Sequence, residues 1–215
     1  MKLQIVFFLF VCSLFLKSCN TLDGYQRSVG NRFSGKNTGL ENKIRLDGFY
    51  VNYSKTKNYA DVLLFYPDGG HVSFSVEGEN DDEIRNVILD YAKAYGYNNK
   101  TKRWEDYFGV YEYQNDTIES CFYTPNKFHF LPSSLSFYWW MRRSKFCIVN
   151  DELIKMYADA QLVRLNEEDF SICEKLYHFV PFADMPSSDM RMKRKRWLWA
   201  NEDAWKEYKQ ESKNK

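Results

Sequence analysis

Histidine is scarce in this chain, and each histidine stands alone. His71, His129 and His178 are the only three in 215 residues, and none is followed at i+2, i+3 or i+4 by a second metal-ligating side chain. A metal site would need distant segments brought together, so no metal and no cofactor is expected. The nucleophile elbow Gly-x-Ser-x-Gly, the P-loop and the dinucleotide glycine pattern are absent as well. No enzyme activity is expected on that basis, and a hydrolase with an unrecognised site is the one catalytic option left. Charge of one sign is also missing. Thirty Lys+Arg stand against 29 Asp+Glu, a net charge of +1, which excludes a strong global field for nucleic acid. No apolar run reaches the roughly 20 residues that a membrane-spanning helix needs.

What is present suits one domain with appendages. Hydrophobic residues make up 44% and charged residues 27%, near globular averages. The longest apolar run, residues 3–16 (LQIVFFLFVCSLFL), follows Met1-Lys2 and reads as the h-region of a signal peptide. It ends in Leu16-Lys17-Ser18-Cys19, which resembles the lipobox of bacterial lipoproteins, with Lys17 where a small or β-branched residue is commoner. The resemblance implies removal of residues 1–18, diacylation of the Cys19 thiol and acylation of the new amino terminus. Losing Lys2 and Lys17 leaves 28 basic against 29 acidic residues in a mature chain of 197. More than one acyl chain is needed for a stable anchor, and such processing supplies three.

Cys121, Cys147 and Cys173 then remain. An exported protein permits disulfides, so one bridge with a spare thiol is open in three pairings. Three buried thiols acting as small hydrophobes are the other option.

Residues 20–43 carry four of the ten glycines among Ser, Asn and Thr, and read as a flexible tether. Strand signals follow at 44–53, 61–66, 71–76, 107–113, 117–123, 137–141, 145–149, 152–157 and 172–182. In the third of these, Val72, Phe74 and Val76 alternate with His71, Ser73 and Ser75, the pattern of a half-buried strand. Pro67-Asp68-Gly69-Gly70 and Asn115-Asp116 supply turns. Residues 80–95 form the one strong helix before the C-terminus. Asn80 caps it, Glu83 stands three residues on, Ile84, Val87, Ile88 and Tyr91 recur at helical spacing, and Gly96 stops it. The result is a mainly β chain whose antiparallel sheet curls or closes.

Leu46-Asp47-Gly48-Phe49-Tyr50, Leu64-Phe65-Tyr66-Pro67-Asp68-Gly69-Gly70, Phe108-Gly109-Val110-Tyr111, Asn115-Asp116-Thr117-Ile118 and Tyr177-His178-Phe179-Val180-Pro181 resemble small lipocalin-like lipoproteins of Gram-negative envelopes. The resemblance covers about 44–182. It implies a lipocalin-like sheet with one inserted helix and a C-terminal helix, held by lipid in the envelope, in the outer membrane. Domain bounds follow as 1–18 signal peptide, 19–43 tether, 44–186 β domain and 187–215 basic, aromatic helix.

Two acidic clusters, 81–83 and 167–169, are explained by a helix macrodipole and by a solvated loop. Aromatics are the informative excess. Tyr138-Trp139-Trp140 is their densest stretch, and strand alternation forbids both tryptophans from entering one core. This triad is the candidate ligand platform or pocket wall. In the C-terminal segment Trp197, Leu198, Trp205 and Tyr208 recur near helical spacing over a helix at about 189–212, expected to dock on the barrel. Arg191, Lys193, Arg194, Lys195 and Arg196 are expected to point outward as a contact for anionic lipid or a partner protein. Two functions are carried forward. One is a lipid-anchored extracytoplasmic binding module for a small apolar or amphipathic ligand. The other is an interaction subunit of an envelope assembly without a cavity.

Overall fold

A computed structural model describes residues 32–56, 58–95, 108–127, 137–162, 170–186, 188 and 191–212, with the backbone alone at 91–95, 123–127, 137–141, 161–162 and 191–192. The expected signal peptide, Cys19, the tether up to residue 31, Gly96, His129 and the acidic run 167–169 lie outside the described residues. Eight strands follow in order: β1 (Gly48–Tyr53), β2 (Ala60–Phe65), β3 (Gly70–Val76), β4 (Phe108–Gln114), β5 (Thr117–Lys127), β6 (Phe137–Asn150), β7 (Leu153–Leu162) and β8 (Ser171–Pro181). Each pairs antiparallel with the next, and β8 returns to β1 through Gly48↔Pro181 to Val51↔His178, closing the barrel. This is an up-and-down, lipocalin-like barrel with no free sheet edge. Helix α1 (Asp81–Tyr95) lies between β3 and β4, and α2 (Glu202–Glu211) ends the described chain.

Local chemistry places the turns. Gln114 pairs with Thr117, and the two residues between them, Asn115 and Asp116, both have positive φ (52° and 56°). That is the demand of a tight hairpin whose twist matches its strands, and Asn and Asp tolerate it. Gly69, at φ 91°, does the same for the turn from β2 to β3. At the start of α1 the Glu83 amide donates to Asn80 Oδ1 (3.0 Å), while the Glu83 carboxylate accepts from the Glu79 amide (2.8 Å). The two strand signals at 137–141 and 145–149 are one strand, β6, which bends at a register shift against β7 between Lys145 and Phe146.

Apolar side chains divide into two layers. Inside the barrel, Tyr50, Phe65, Tyr111, Ile118, Phe146, Ile154, Tyr177 and Phe179 meet around the end formed by the turns at 66–69, 115–116 and 151–152. Leu40, in a 3-10 turn (Leu40–Asn42), and Ile44 join this cluster and close that end. Outside the barrel, Val51, Val62, Leu64, Val72 and Phe74 pack with Ile84 and Ile88 of α1. Strand β2 therefore buries both faces, which explains its unbroken Val62-Leu63-Leu64-Phe65 run. It also settles which way the half-buried strand β3 faces. Val72, Phe74 and Val76 belong to the layer under the helix, and the His71, Ser73, Ser75 face belongs to the barrel interior.

Part of the segment expected to be a 19–43 tether is packed on the domain. Phe33 is fully buried, its amide donates to Leu198 O (3.0 Å), and its carbonyl accepts from the Ala200 amide (2.9 Å). Gly35, at φ +64°, lies against the Trp199 ring, where a Cβ would come within 2.0 Å of a ring carbon. Residues 33–44 thus form a strap on the domain.

The C-terminal segment docks, but not as one helix. Two 3-10 turns (Arg191–Arg194 and Arg196–Leu198) precede α2, and Trp199 is extended because it pairs with Phe33. Asn201 then starts α2, accepting from the amides of Asp203 (2.8 Å) and Ala204 (3.2 Å). Leu198 and Trp199 are buried in the outer layer, with Trp197, Trp205 and Tyr208 partly buried against it.

Candidate functional site

The interior face of β2, β3, β6, β7 and β8 turns polar away from the closed end. There a cavity of about 210 Å³ opens, lined by Asp61, Ser73, Ser75, Arg142, Ser144 and Lys175 on its polar side. Leu63, Phe122, Phe146, Met156 and Tyr177 supply its apolar side. At about 30 Å³ per water this is room for roughly seven waters or one small organic molecule.

Two ion pairs organise the polar wall. Arg142 on β6 donates through Nε to Asp159 Oδ1 (3.2 Å) and Oδ2 (2.9 Å), and through Nη2 to Oδ2, while Ser144 Oγ donates to Oδ1 (2.8 Å). Lys175 Nζ on β8 donates to Asp61 Oδ2 (2.7 Å), and Ser75 Oγ donates to Asp61 Oδ1 (2.7 Å). Adjacent strands set these partners: Ser75 is directly opposite Asp61, and Ser144 opposite Asp159. Burial alone would lower the Arg142 pKa, but the Asp159 carboxylate outweighs it and raises it, so the guanidinium stays charged. Burial pushes the Tyr177 phenol far up, keeping its proton on the ring oxygen.

Beneath this wall lies His71. It is fully buried, stacked on Phe65 at 4.7 Å between centroids and edge-on to Phe122 at 5.7 Å. Neither ring nitrogen has a hydrogen-bond partner among the described residues. Burial drives its pKa from 6.5 down to about 3, so the ring is neutral.

Of the residues expected to form the site, only the backbone of the aromatic triad is described. Tyr138, Trp139 and Trp140 lie toward the other end of β6, with backbone partners Asn126, Pro125 and Thr124, and their side chains lie outside the described residues. Among the expected contact cations, Lys193 is a correction. It is buried, bonded to Asp68 and lying over the Phe33 ring (5.1 Å), because the C-terminal segment folds back over the β2–β3 turn. Arg194 and Lys195 are exposed, Arg196 approaches Glu202 (3.7 Å), and the Arg191 side chain lies outside the described residues. His178 lies 4.0 Å from Asp81, and no cluster of three metal-ligating side chains occurs among the described residues. Cys121, Cys147 and Cys173 are free thiols.

Sequence reasoning passed over Asp61, Arg142, Lys175 and Asp159 because nothing in the sequence distinguishes them from other charges of the same strands, such as Arg143 and Lys145 on β6, Lys155 on β7 and Glu174 on β8. The available signal was strand alternation, which puts Arg142 on the same face as Ser144 and Phe146, and Lys175 on the same face as Tyr177 and Phe179. An eight-stranded barrel of this build fits a binding module in general. No protein-family model, no curated protein and no solved structure matches this chain.

Proposed function

We propose that the protein is a lipid-anchored extracytoplasmic module that binds a small amphipathic ligand inside its barrel. The observation that carries this reading is the cavity of about 210 Å³ between two charged pairs and an apolar floor, in a barrel otherwise packed solid at its closed end. A purely apolar ligand fits poorly, since it would bury charged groups without pairing their remaining hydrogen-bond capacity. The volume falls below the roughly 300 Å³ at which pockets for drug-sized molecules begin, which sets the ligand at about one ring.

Native mass spectrometry of the purified protein tests this reading. A co-purified small molecule is expected, and it should be lost when Ser73→Phe fills the cavity. An apo mass alone, in preparations from several growth conditions, would count against it.

The lipid anchor is supported by the apolar run at 3–16 followed by Leu16-Lys17-Ser18-Cys19. Intact mass of membrane-extracted protein should show loss of residues 1–18 and gain of acyl mass. A Cys19→Ser protein that still partitions with membranes would overturn it. The strap bears on how close the domain sits. With residues 33–44 packed on the barrel, the twelve residues 20–31 can span at most about 43 Å at 3.6 Å each, half the reach of 20–43. The chain meets the domain at Phe33, which pairs with Trp199 and lies under the Nζ of Lys193, the residue just before the exposed Arg194 and Lys195 in sequence. A short leash therefore leaves the domain next to cations suited to anionic headgroups.

One feature favours the second reading, a subunit of an envelope assembly. Ile172, 90% exposed, and Leu176 share the outward face of β8. Loss of a cross-linked envelope partner on Ile172→Asp would support that reading.

A further inference from the structure

The two ion pairs of the cavity do not offer donors and acceptors equally. Arg142 carries five N–H donors, and Asp159 takes those of Nε and one of Nη2, leaving three. Lys175 carries three, of which Asp61 takes one, leaving two. On the acid side, Asp159 receives four contacts, from Nε twice, Nη2 and Ser144 Oγ, which fill its roughly four lone-pair sites. Asp61 receives two and keeps about two sites. Five cationic N–H groups therefore stand unsatisfied among the described residues against about two carboxylate lone pairs.

Exposure runs the same way. The Arg142 and Lys175 side chains are each 39% exposed, while Asp159 and Asp61 are 16% and 19% exposed. The acids are recessed and spent on holding the cations, and the cations face the space a ligand would fill. The hydroxyls of Ser73 and Tyr177, which also line the cavity, make no hydrogen bond within the described residues and add two more donors. Phe122, Phe146 and Met156 add hydrocarbon to the same lining.

Resting on the reading of the barrel as a ligand-binding module, we propose that the cavity is a receptor for a small organic anion. One carboxylate-like head is held between Arg142 and Lys175, and a ring-sized apolar body lies against Phe122, Phe146 and Met156. The surplus of free donors over free acceptors, rather than net charge, disfavours the alternatives. A cationic head would meet five N–H donors and two guarded carboxylates, and a neutral head would leave most of those donors unpaired.

Three probes of one shape and different charge test the assignment on the full-length protein: benzoate, benzylamine and benzyl alcohol, titrated by calorimetry and by NMR shifts of the cavity residues. Benzoate is expected to bind at least tenfold more tightly than either of the others. Arg142→Gln and Lys175→Gln should each weaken benzoate at least fivefold, with Arg142→Lys recovering part of the loss. Far-UV circular dichroism shows whether each variant is folded. Should a variant fail to fold, the probe ranking on the wild-type protein still decides. Equal or tighter binding of benzylamine or benzyl alcohol would overturn the anion assignment and leave the cavity a ligand site. Absence of binding by all three at millimolar concentration would also overturn it. A neutral or cationic co-purified molecule would then keep the binding-module reading alive, and an empty protein would remove both.

Discussion

His71 is a residue at which burial in the barrel interior carries a cost. Its two nitrogens are desolvated against Phe65 and Phe122 with no partner among the described residues, and such burial holds the ring neutral down to a pKa of about 3. Between pH 6.5 and 3 the unfolded chain takes up a proton that the folded chain refuses. Stability therefore falls as pH drops through that window, by up to about 1.4 kcal/mol per pH unit. His71→Phe should flatten this acid limb relative to wild type and raise Tm at pH 5, read from thermal melts at pH 7.5, 6, 5 and 4. Parallel curves for the two proteins would mean that the ring is solvated and titrates normally. The cysteines make a second residue-scale prediction. Cys121 is buried with its thiol pushed up to about 12, whereas Cys147 and Cys173 are only partly buried. Under native conditions a thiol reagent should label Cys147 and Cys173 and spare Cys121, as peptide mapping would show.

Elements hold this domain together from outside as much as from within. Helix α1 sets Ile84 and Ile88, both fully buried, on the outer face of β1 to β3. Ile88→Ala should cost about 2–5 kcal/mol in denaturant unfolding, and an unchanged midpoint would show that this face is not packed. The C-terminal segment is latched at the β2–β3 turn. Asp68 caps its own turn through the Gly70 amide (3.0 Å), accepts from Ser188 Oγ (3.2 Å) and pairs with the buried Lys193, while Trp199 Nε1 donates to Lys193 O (2.6 Å). Removing the acid leaves a buried ammonium without its carboxylate, at a cost of about 3 kcal/mol. Asp68→Ala should therefore destabilise more than Lys193→Met, which keeps the stem over Phe33 and leaves a carboxylate with other donors. The reverse order, read from unfolding midpoints and Trp fluorescence, would locate the latch elsewhere. The latch was not legible in sequence: five cations in six residues read as one outward face, and only the fold brings Asp68 across 125 positions to Lys193.

At the scale of the whole molecule, strap, C-terminal segment and helix form a second apolar layer around the barrel, so removing residues 190–215 strips the cover from Phe33 and should lower Tm markedly. If the exposed Arg194 and Lys195 face anionic lipid, the unlipidated chain should bind acidic vesicles at low salt and lose them steeply as salt rises. Salt-independent binding, or none, would show that these cations do not face anionic lipid. Much of the architecture was readable beforehand, because its signals are local. The turn at 67–70, the Asn115-Asp116 hairpin, the Asn80–Glu83 cap and the period-two runs depend on backbone preferences that a few residues settle among themselves. Which face of each strand is inside is not local. A period-two strand is consistent with either face inward, and β3 turns its serines and His71 to the interior because α1 and the C-terminal segment need the Val72 and Phe74 face. The polar cavity follows from that choice. The sequence alone determined the strands, the turns and the first helix, whereas tertiary structure decided that Asp61, Arg142, Asp159 and Lys175, on four different strands, would meet. Closing a sheet into a barrel converts positions far apart in the chain into neighbours across one small, partly dry space, where each charge must find a partner.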